Sequence, residues 1–214
     1  MELTENDKKN LKKLVQVIRE MNRRGENPAT SGNYSYRLDS GEACAVSESG
    51  VDKALFETSH FVEVDLEGQL TAKEKEAGRR SSAETALHTM IYQLFPQMKC
   101  VLHSHGQASL LFAEMLPPQQ NSAKIEGMEM LKVLPGQSTH LTRVEIPLCE
   151  NSQNMQEIIE AVRAPLNFTE SAPAFIIRRH GLYTWGETVE EAWRHLEAFN
   201  YLFSFEIEKR KLQL

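Results

Sequence analysis

The sequence predicts an α/β layered domain built on a mostly antiparallel sheet. Short apolar runs containing β-branched and aromatic residues alternate with longer segments whose apolar residues recur at helical spacing. Several of the short runs are separated only by turn residues, as hairpin-paired strands are. A length of 214 residues fits one domain spanning 1–214, enough chain to bury most of its unfolded surface around a core.

The first element is a helix: Thr4 can cap it, Leu11, Leu14, Val15, Ile18 and Met21 share one face, and Gly25 supplies a stop. Strands follow at Tyr34 to Leu38, Ala43 to Val46 and Phe61 to Asp65, with Glu67-Gly68 as a hairpin turn. Ser81-Ser82-Ala83-Glu84 has capping-box spacing and opens a helix carrying Ala83, Leu87, Met90, Ile91 and Leu94, which ends near Pro96. Lys99 to Leu102 reads as a strand entering a loop, followed by a helix from Gln107 to Met115. Helical character is expected from Ile125 to Leu134, a strand from Arg143 to Leu148, a helix from Gln153 to about Val162, and a strand at Ala174 to Ile177. Thr188 and Glu191 form a second capping-box pair ahead of a helix striped by Ala192, Leu196, Phe199 and Phe203.

A net charge of −6 with no basic stretch argues against nucleic-acid binding. No window approaches the roughly 18 consecutive apolar residues of a membrane span. The acidic N-terminus lacks the apolar core of a secretory signal. Cys44, Cys100 and Cys149 are odd in number and show no CxxC spacing, so reduced thiols in the cytoplasm are expected.

His103-Ser104-His105 closes one strand, and His180, in Arg178-Arg179-His180-Gly181, closes another. Alternate residues of an extended segment face the same way, so His103 and His105 can aim at one point. Two imidazoles one residue apart plus a third suit Zn²⁺ or a related divalent ion, and three protein ligands leave a position open for water or substrate. An HxH pair by itself is more often incidental; the matching strand-to-loop setting of His180 is what raises its weight.

Two polar glycine loops precede the histidines, Thr30-Ser31-Gly32-Asn33 and Ser47-Glu48-Ser49-Gly50-Val51-Asp52-Lys53. Their hydroxyls, exposed backbone N–H groups and lysine could hold the oxygens of a phosphate, and Ser81-Ser82 at a helix start would add donors. Each piece taken singly is more often a turn or a cap; three in one chain beside a histidine triad are what point to a phosphorylated substrate. Glu84 is open to two readings, capping-box residue or acid/base group, while Glu129 reads locally as a solvated helix residue. His88, one turn after Glu84, is read as a satisfied helix histidine rather than its partner; His60, His140 and His195 as surface or core-edge residues; Tyr183 and Trp185 as packing a turn.

The ordered set Thr30-Ser31-Gly32-Asn33, Ser49-Gly50, Ser81-Ser82-Ala83-Glu84, His103-Ser104-His105 and Arg179-His180-Gly181 resembles the class II aldolase/adducin family, over roughly residues 10 to 210. The stretches Gly50-Val51-Asp52-Lys53, Glu129-Met130-Leu131-Lys132, Gly136-Gln137-Ser138 and His180 to Gly186 are similar to its dehydratase branch, which serves methionine salvage by removing water from a methylthio-pentulose 1-phosphate. The resemblance implies a three-layer α/β/α domain, a homotetramer, and one Zn²⁺ per subunit at His103, His105 and His180. It implies a phosphorylated sugar substrate held by Ser31, Gly32, Asn33, Ser49, Gly50, Lys53, Ser81 and Ser82. In the dehydratase branch the catalytic acid/base falls on Glu129; in the sugar-phosphate aldolase branch the metal-facing acid falls on Glu84. The resemblance to the dehydratases therefore favours Glu129 as the acid/base, with Glu84 beside the metal as a ligand or supporting group. An aldolase or epimerase would share these sites, and an adducin-like module would be a non-catalytic version of the same fold.

Overall fold

The computed structural model describes residues 3–166 and 172–213. Helix α1 (Glu5–Arg23) opens with a reciprocal box, in which the Thr4 hydroxyl accepts from the Asp7 amide and the Asp7 carboxylate accepts from the Thr4 amide. It closes in a Schellman turn: the Gly25 amide donates to the Asn22 carbonyl and the Glu26 amide to that of Met21, with Gly25 at φ +76°.

Strands β1 (Asn33–Arg37), β2 (Ala43–Ser47) and β3 (Phe61–Asp65) follow, then the short helix α2 (Ala72–Glu76) and helix α3 (Thr85–Leu94). Next come β4 (Cys100–Ser104), α4 (Gln107–Glu114), β5 (Ser122–Glu126), a 3₁₀ turn at Glu129–Val133, and β6 (Arg143–Cys149). Helix α5 (Met155–Leu166), β7 (Ala174–Ile177), β8 (Gly181–Gly186) and α6 (Val189–Lys211) complete the described chain. Among the described residues the sheet has eight strands in the order β3-β2-β1-β4-β8-β7-β6-β5. Only β6 and β7 pair in parallel.

Strand alternation divides the interior into two layers. Tyr34, Leu102, Ile176 and Leu182 face one side, where Leu14 and Ile18 of α1, Phe112 of α4, and Phe199 and Phe203 of α6 cover them. Val101, Phe175, Ile177, Tyr183 and Trp185 face the other, against Leu87 and Ile91 of α3 and Ile158 and Val162 of α5. The fold is the expected α/β/α sandwich. No helix among the described residues is long and apolar enough to cross a membrane.

Four local expectations need correction. The Ser81–Glu84 capping box does not form: α3 starts at Thr85, Glu84 sits in the cap position with helical φ and ψ, and its side chain makes no cap bond because long-range donors hold it elsewhere. Residues 125–134 split into the end of β5 and the 3₁₀ turn, because Gly127 at φ +77° breaks the run. Residues 181–186 form a wholly buried strand rather than a turn. The turn at Gly68 returns only an isolated Val64–Leu70 bridge instead of a full hairpin.

Candidate metal centre and active site

The two histidine segments meet because β4 and β8 are neighbours, with His103 opposite Tyr183 and Ser104 opposite Leu182. His180 lies in the tight β7–β8 connection, where Arg179 takes a left-handed φ of +55°. Gly181 then passes so close to β4 that an added Cβ would stand 2.1 Å from the Ser104 carbonyl oxygen. The connection is anchored by buried Arg178, whose guanidinium donates to the carbonyls of Ala113 (2.6 Å) and Pro117 (2.7 Å) and pairs with Glu150. Sequence reasoning passed over Arg178, whose role depends on carbonyls from a distant loop.

His103, His105 and His180 form a candidate metal-ligating group among the described residues, their donor nitrogens all within 4.8 Å of one another. The His103 Nδ1 faces the Leu182 carbonyl at 3.1 Å, and the His180 Nδ1 faces the Asn151 side-chain oxygen at 3.2 Å. With Nδ1 held this way, each ring is turned so that Nε2 is the atom it can offer a metal. The Nε2 atoms of His103 and His105 are 2.9 Å apart. Two nitrogens on one tetrahedral Zn²⁺ would be roughly 3.3 Å apart. Burial, reinforced by the neighbouring His103 and His180, pushes the His105 imidazole down to about 3, so it is neutral and able to ligate. This donor set fits a divalent metal.

Glu84 faces the same point. Its Oε2 is 3.1 Å from His103 Nε2 and its Oε1 is 3.4 Å from His180 Nε2. Oε2 also accepts from Asn33 Nδ2 at 2.9 Å and from the Tyr183 hydroxyl at 2.5 Å. Burial opposes ionisation of this carboxyl, but the hydrogen bonds of His103, His180 and Tyr183 outweigh it and hold the group far below the usual carboxylate range. Behind it, His88 Nε2 contacts Asn33 Oδ1 (2.5 Å) and His88 Nδ1 contacts Ser35 Oγ (2.7 Å). Asn33 can donate to Glu84 only if its oxygen accepts from His88, so His88 is protonated on Nε2 and Asn33 has one orientation. His88 is thus a satisfied histidine, as read, and also a partner of Glu84 through Asn33.

A cavity of about 210 Å³ opens beside the histidines, with His105 and Glu84 in its wall. Of the residues expected to hold a phosphate, Ser31, Gly32, Asn33, Ser49, Gly50, Lys53 and Ser82 line it, whereas Ser81 forms a bridge with Glu48. Gly32 has φ +76°, and a Cβ there would meet the Tyr34 hydroxyl at 2.6 Å and the His103 carbonyl at 2.9 Å. Ser31 Oγ is buried with no protein partner. Lys53, 1% exposed, donates to the Thr30 (3.1 Å) and Val51 (2.9 Å) carbonyls, and no carboxylate among the described residues pairs with it. Burial lowers its pKa. A buried ammonium and an unpartnered hydroxyl beside glycine loops suit an anion.

Glu129 is not brought to this point within one chain. It lies on the surface, its side chain 70% exposed, paired with Lys132 and 3.7 Å from His140, and the Lys132 contact lowers its pKa. His140 is exposed and His60 half-buried, as expected, but His195 is buried and bonded to the Trp185 carbonyl at 2.7 Å.

The family described as Class II Aldolase and Adducin N-terminal domain matches residues 12–207. The chain is 38% identical to a methylthioribulose-1-phosphate dehydratase of Serratia proteamaculans, covering 99% of both chains. It is 38% identical to one from Marinobacter nauticus (94% of this chain, 93% of that one) and 40% identical to one from Xanthomonas campestris pv. campestris (94% and 89%). Among solved structures it is similar in fold to an L-fuculose-1-phosphate aldolase from Thermus thermophilus, with TM-score 0.71, 21% identity and 94% of both chains covered. It is also similar to an aldolase II superfamily protein from Pseudomonas syringae, with TM-score 0.75, 17% identity, and 98% of this chain and 78% of that one covered. With the sandwich, the histidine cluster and the match over nearly its whole length, this chain belongs to the class II aldolase and adducin N-terminal domain family.

Proposed function

We propose that this chain is a metal-dependent hydro-lyase that dehydrates 5-methylthioribulose 1-phosphate to the 2,3-diketo phosphate in methionine salvage. The observation that carries this reading is one cavity whose wall joins the histidine and Glu84 cluster to an anion-type cradle built around Lys53. The full-length relatives bearing the dehydratase name supply the substrate.

Bound by His103, His105 and His180, one Zn²⁺ per subunit would supply Lewis-acid polarisation of the ketone. Lys53, the Ser31 and Ser49 hydroxyls and the Gly32 and Gly50 loops hold the phosphate, fixing the reacting carbons beside Glu84. Glu84 removes the proton from the carbon next to the ketone. The C–H electron pair becomes the carbon–carbon double bond, and the hydroxyl on the following carbon leaves as water, taking with it the proton that Glu84 removed. The enol that remains tautomerises to the diketone. Oε1 is the atom that carries the proton, because Oε2 already accepts from Asn33 and Tyr183.

The resemblance to the dehydratase branch gives the acid/base role to Glu129. That residue is exposed, so it reaches the histidines only if a second copy of the chain delivers it. We place the protein in the cytoplasm, where its buried free thiols stay reduced, as a homotetrameric single-domain enzyme.

The test offers purified, metal-loaded protein both methylthioribulose 1-phosphate and fuculose 1-phosphate. Dehydration of the first without aldehyde release from the second is expected. Aldehyde release from the second with no dehydration of the first makes the chain an aldolase. A folded protein that neither holds nor takes up a divalent ion favours a non-catalytic module.

A further inference from the structure

Alternation along β4 sends Ser104 to the face opposite the neighbouring histidines, toward α1 and α6. There its Oγ lies 2.6 Å from Oε2 of Glu26, to which it donates, and it accepts from the Gly106 amide at 3.0 Å. The His105 amide donates to the Glu26 backbone carbonyl at 2.8 Å. Asn200 of α6 holds the other carboxylate oxygen at 2.9 Å. Glu26 is delivered here by the Schellman turn that ends α1.

Gly106 completes the fit. Its φ is −59°, a conformation open to any residue, so no backbone demand explains the glycine. An added Cβ would stand 2.1 Å from Glu26 Oε2 and 3.0 Å from its Cδ. The glycine makes room for the carboxylate.

We propose that Glu26 is a positioning residue for the metal centre: its backbone carbonyl takes the His105 amide, and its carboxylate, by gripping Ser104 from behind the sheet, fixes where the His105 imidazole points. This rests on the reading that the three histidines hold a divalent ion. Partners that orient metal ligands typically contribute about 10- to 100-fold to metal affinity.

The experiment titrates metal-free protein with Co²⁺, following its visible absorption, in the wild type, Glu26→Ala, Glu26→Gln, Gly106→Ala and the Glu26→Ala/Gly106→Ala double variant. Glu26→Ala is expected to weaken Co²⁺ binding about 10- to 100-fold and to alter the spectrum, while the melting temperature of the metal-free protein stays near that of the wild type. Glu26→Gln recovers most of the affinity, because Asn200 has a buried, unpartnered Oδ1 to offer the new amide. Gly106→Ala alone weakens binding, but adding it to Glu26→Ala causes little further loss, since the contacts with the carboxylate are gone and the freed Ser104 hydroxyl, 3.1 Å from the new methyl, can turn aside. Wild-type affinity and spectrum in Gly106→Ala, or losses in the double variant that simply add, overturn the proposal even if Glu26→Ala does not fold. A wild type that takes up no Co²⁺ overturns the metal reading, and this inference with it.

Discussion

Tyr183 stacks on His103 with ring centroids 4.0 Å apart and planes inclined by 14°, while its hydroxyl holds Oε2 of Glu84 at 2.5 Å. The β4–β8 register sets this pair opposite each other, so one side chain orients both a candidate ligand and the carboxylate beside it. Tyr183→Phe should keep the stack and lose only the donor. A hydrogen bond to a charged group contributes about 1.5–3 kcal/mol, so turnover should fall roughly 10- to 100-fold. Metal content, measured alongside kcat, should not change.

Glu84→Gln and Glu129→Gln separate the two candidate bases. General-base removal typically costs about 10²–10⁴-fold, and that loss is expected in kcat for Glu84→Gln with the metal still bound. Glu129→Gln should leave turnover near the wild-type value. A comparable collapse in Glu129→Gln, with normal turnover in Glu84→Gln, moves the proton transfer to a carboxylate supplied by a neighbouring copy.

Lys53→Met should raise KM more than it lowers kcat, because the proposed function sets this buried cavity-lining ammonium against the substrate's phosphate rather than the reacting carbons. Loss of one charge-assisted contact predicts roughly a 10- to 100-fold rise in KM. Inhibition by inorganic phosphate should weaken in parallel. An unchanged KM would remove Lys53 from the phosphate site.

Much of this was legible in the sequence because it is local. The spacing of Leu11, Leu14 and Ile18 marks α1, and the alternation of His103, Ser104 and His105 in an extended run places two imidazoles on one side. What stayed hidden depends on contacts across the chain. Glu84 looks like a cap when only Ser81 is in view; Asn33 and Tyr183, 51 and 99 residues away, claim its carboxylate instead. Gly181 to Gly186 looks like a turn because of its glycines, yet both are needed where β8 passes close to its neighbours, Ser104 at one end and Ala192 at the other. Lys53 stands out in the sequence as a lysine beside a glycine loop, but its burial, which leaves its ammonium without a carboxylate partner among the described residues, is a product of the fold.

His88 gives the fold a pH dependence. Burial pushes its imidazole down to about 3 from an ordinary 6.5. Between those values the unfolded chain binds a proton that the folded chain refuses, so stability falls as pH drops through this window, by up to about 1.4 kcal/mol per unit from this group. In urea unfolding of the metal-free protein from pH 6.5 to 4.5, His88→Gln should lose stability less steeply than the wild type. Parallel slopes would show that His88 is not the group responsible.

Strand β4 is paired on both sides, to β1 and to β8, and carries His103 on one face and Leu102 and Ser104 on the other. A slip of one residue would exchange those faces, turning His103 into the opposite layer and presenting Leu102 or Ser104 in its place. A misaligned central sheet therefore cannot assemble the three imidazoles, however compact it is. Metal uptake during refolding becomes a clock for strand alignment, marking when the middle of the sheet has found its correct partners.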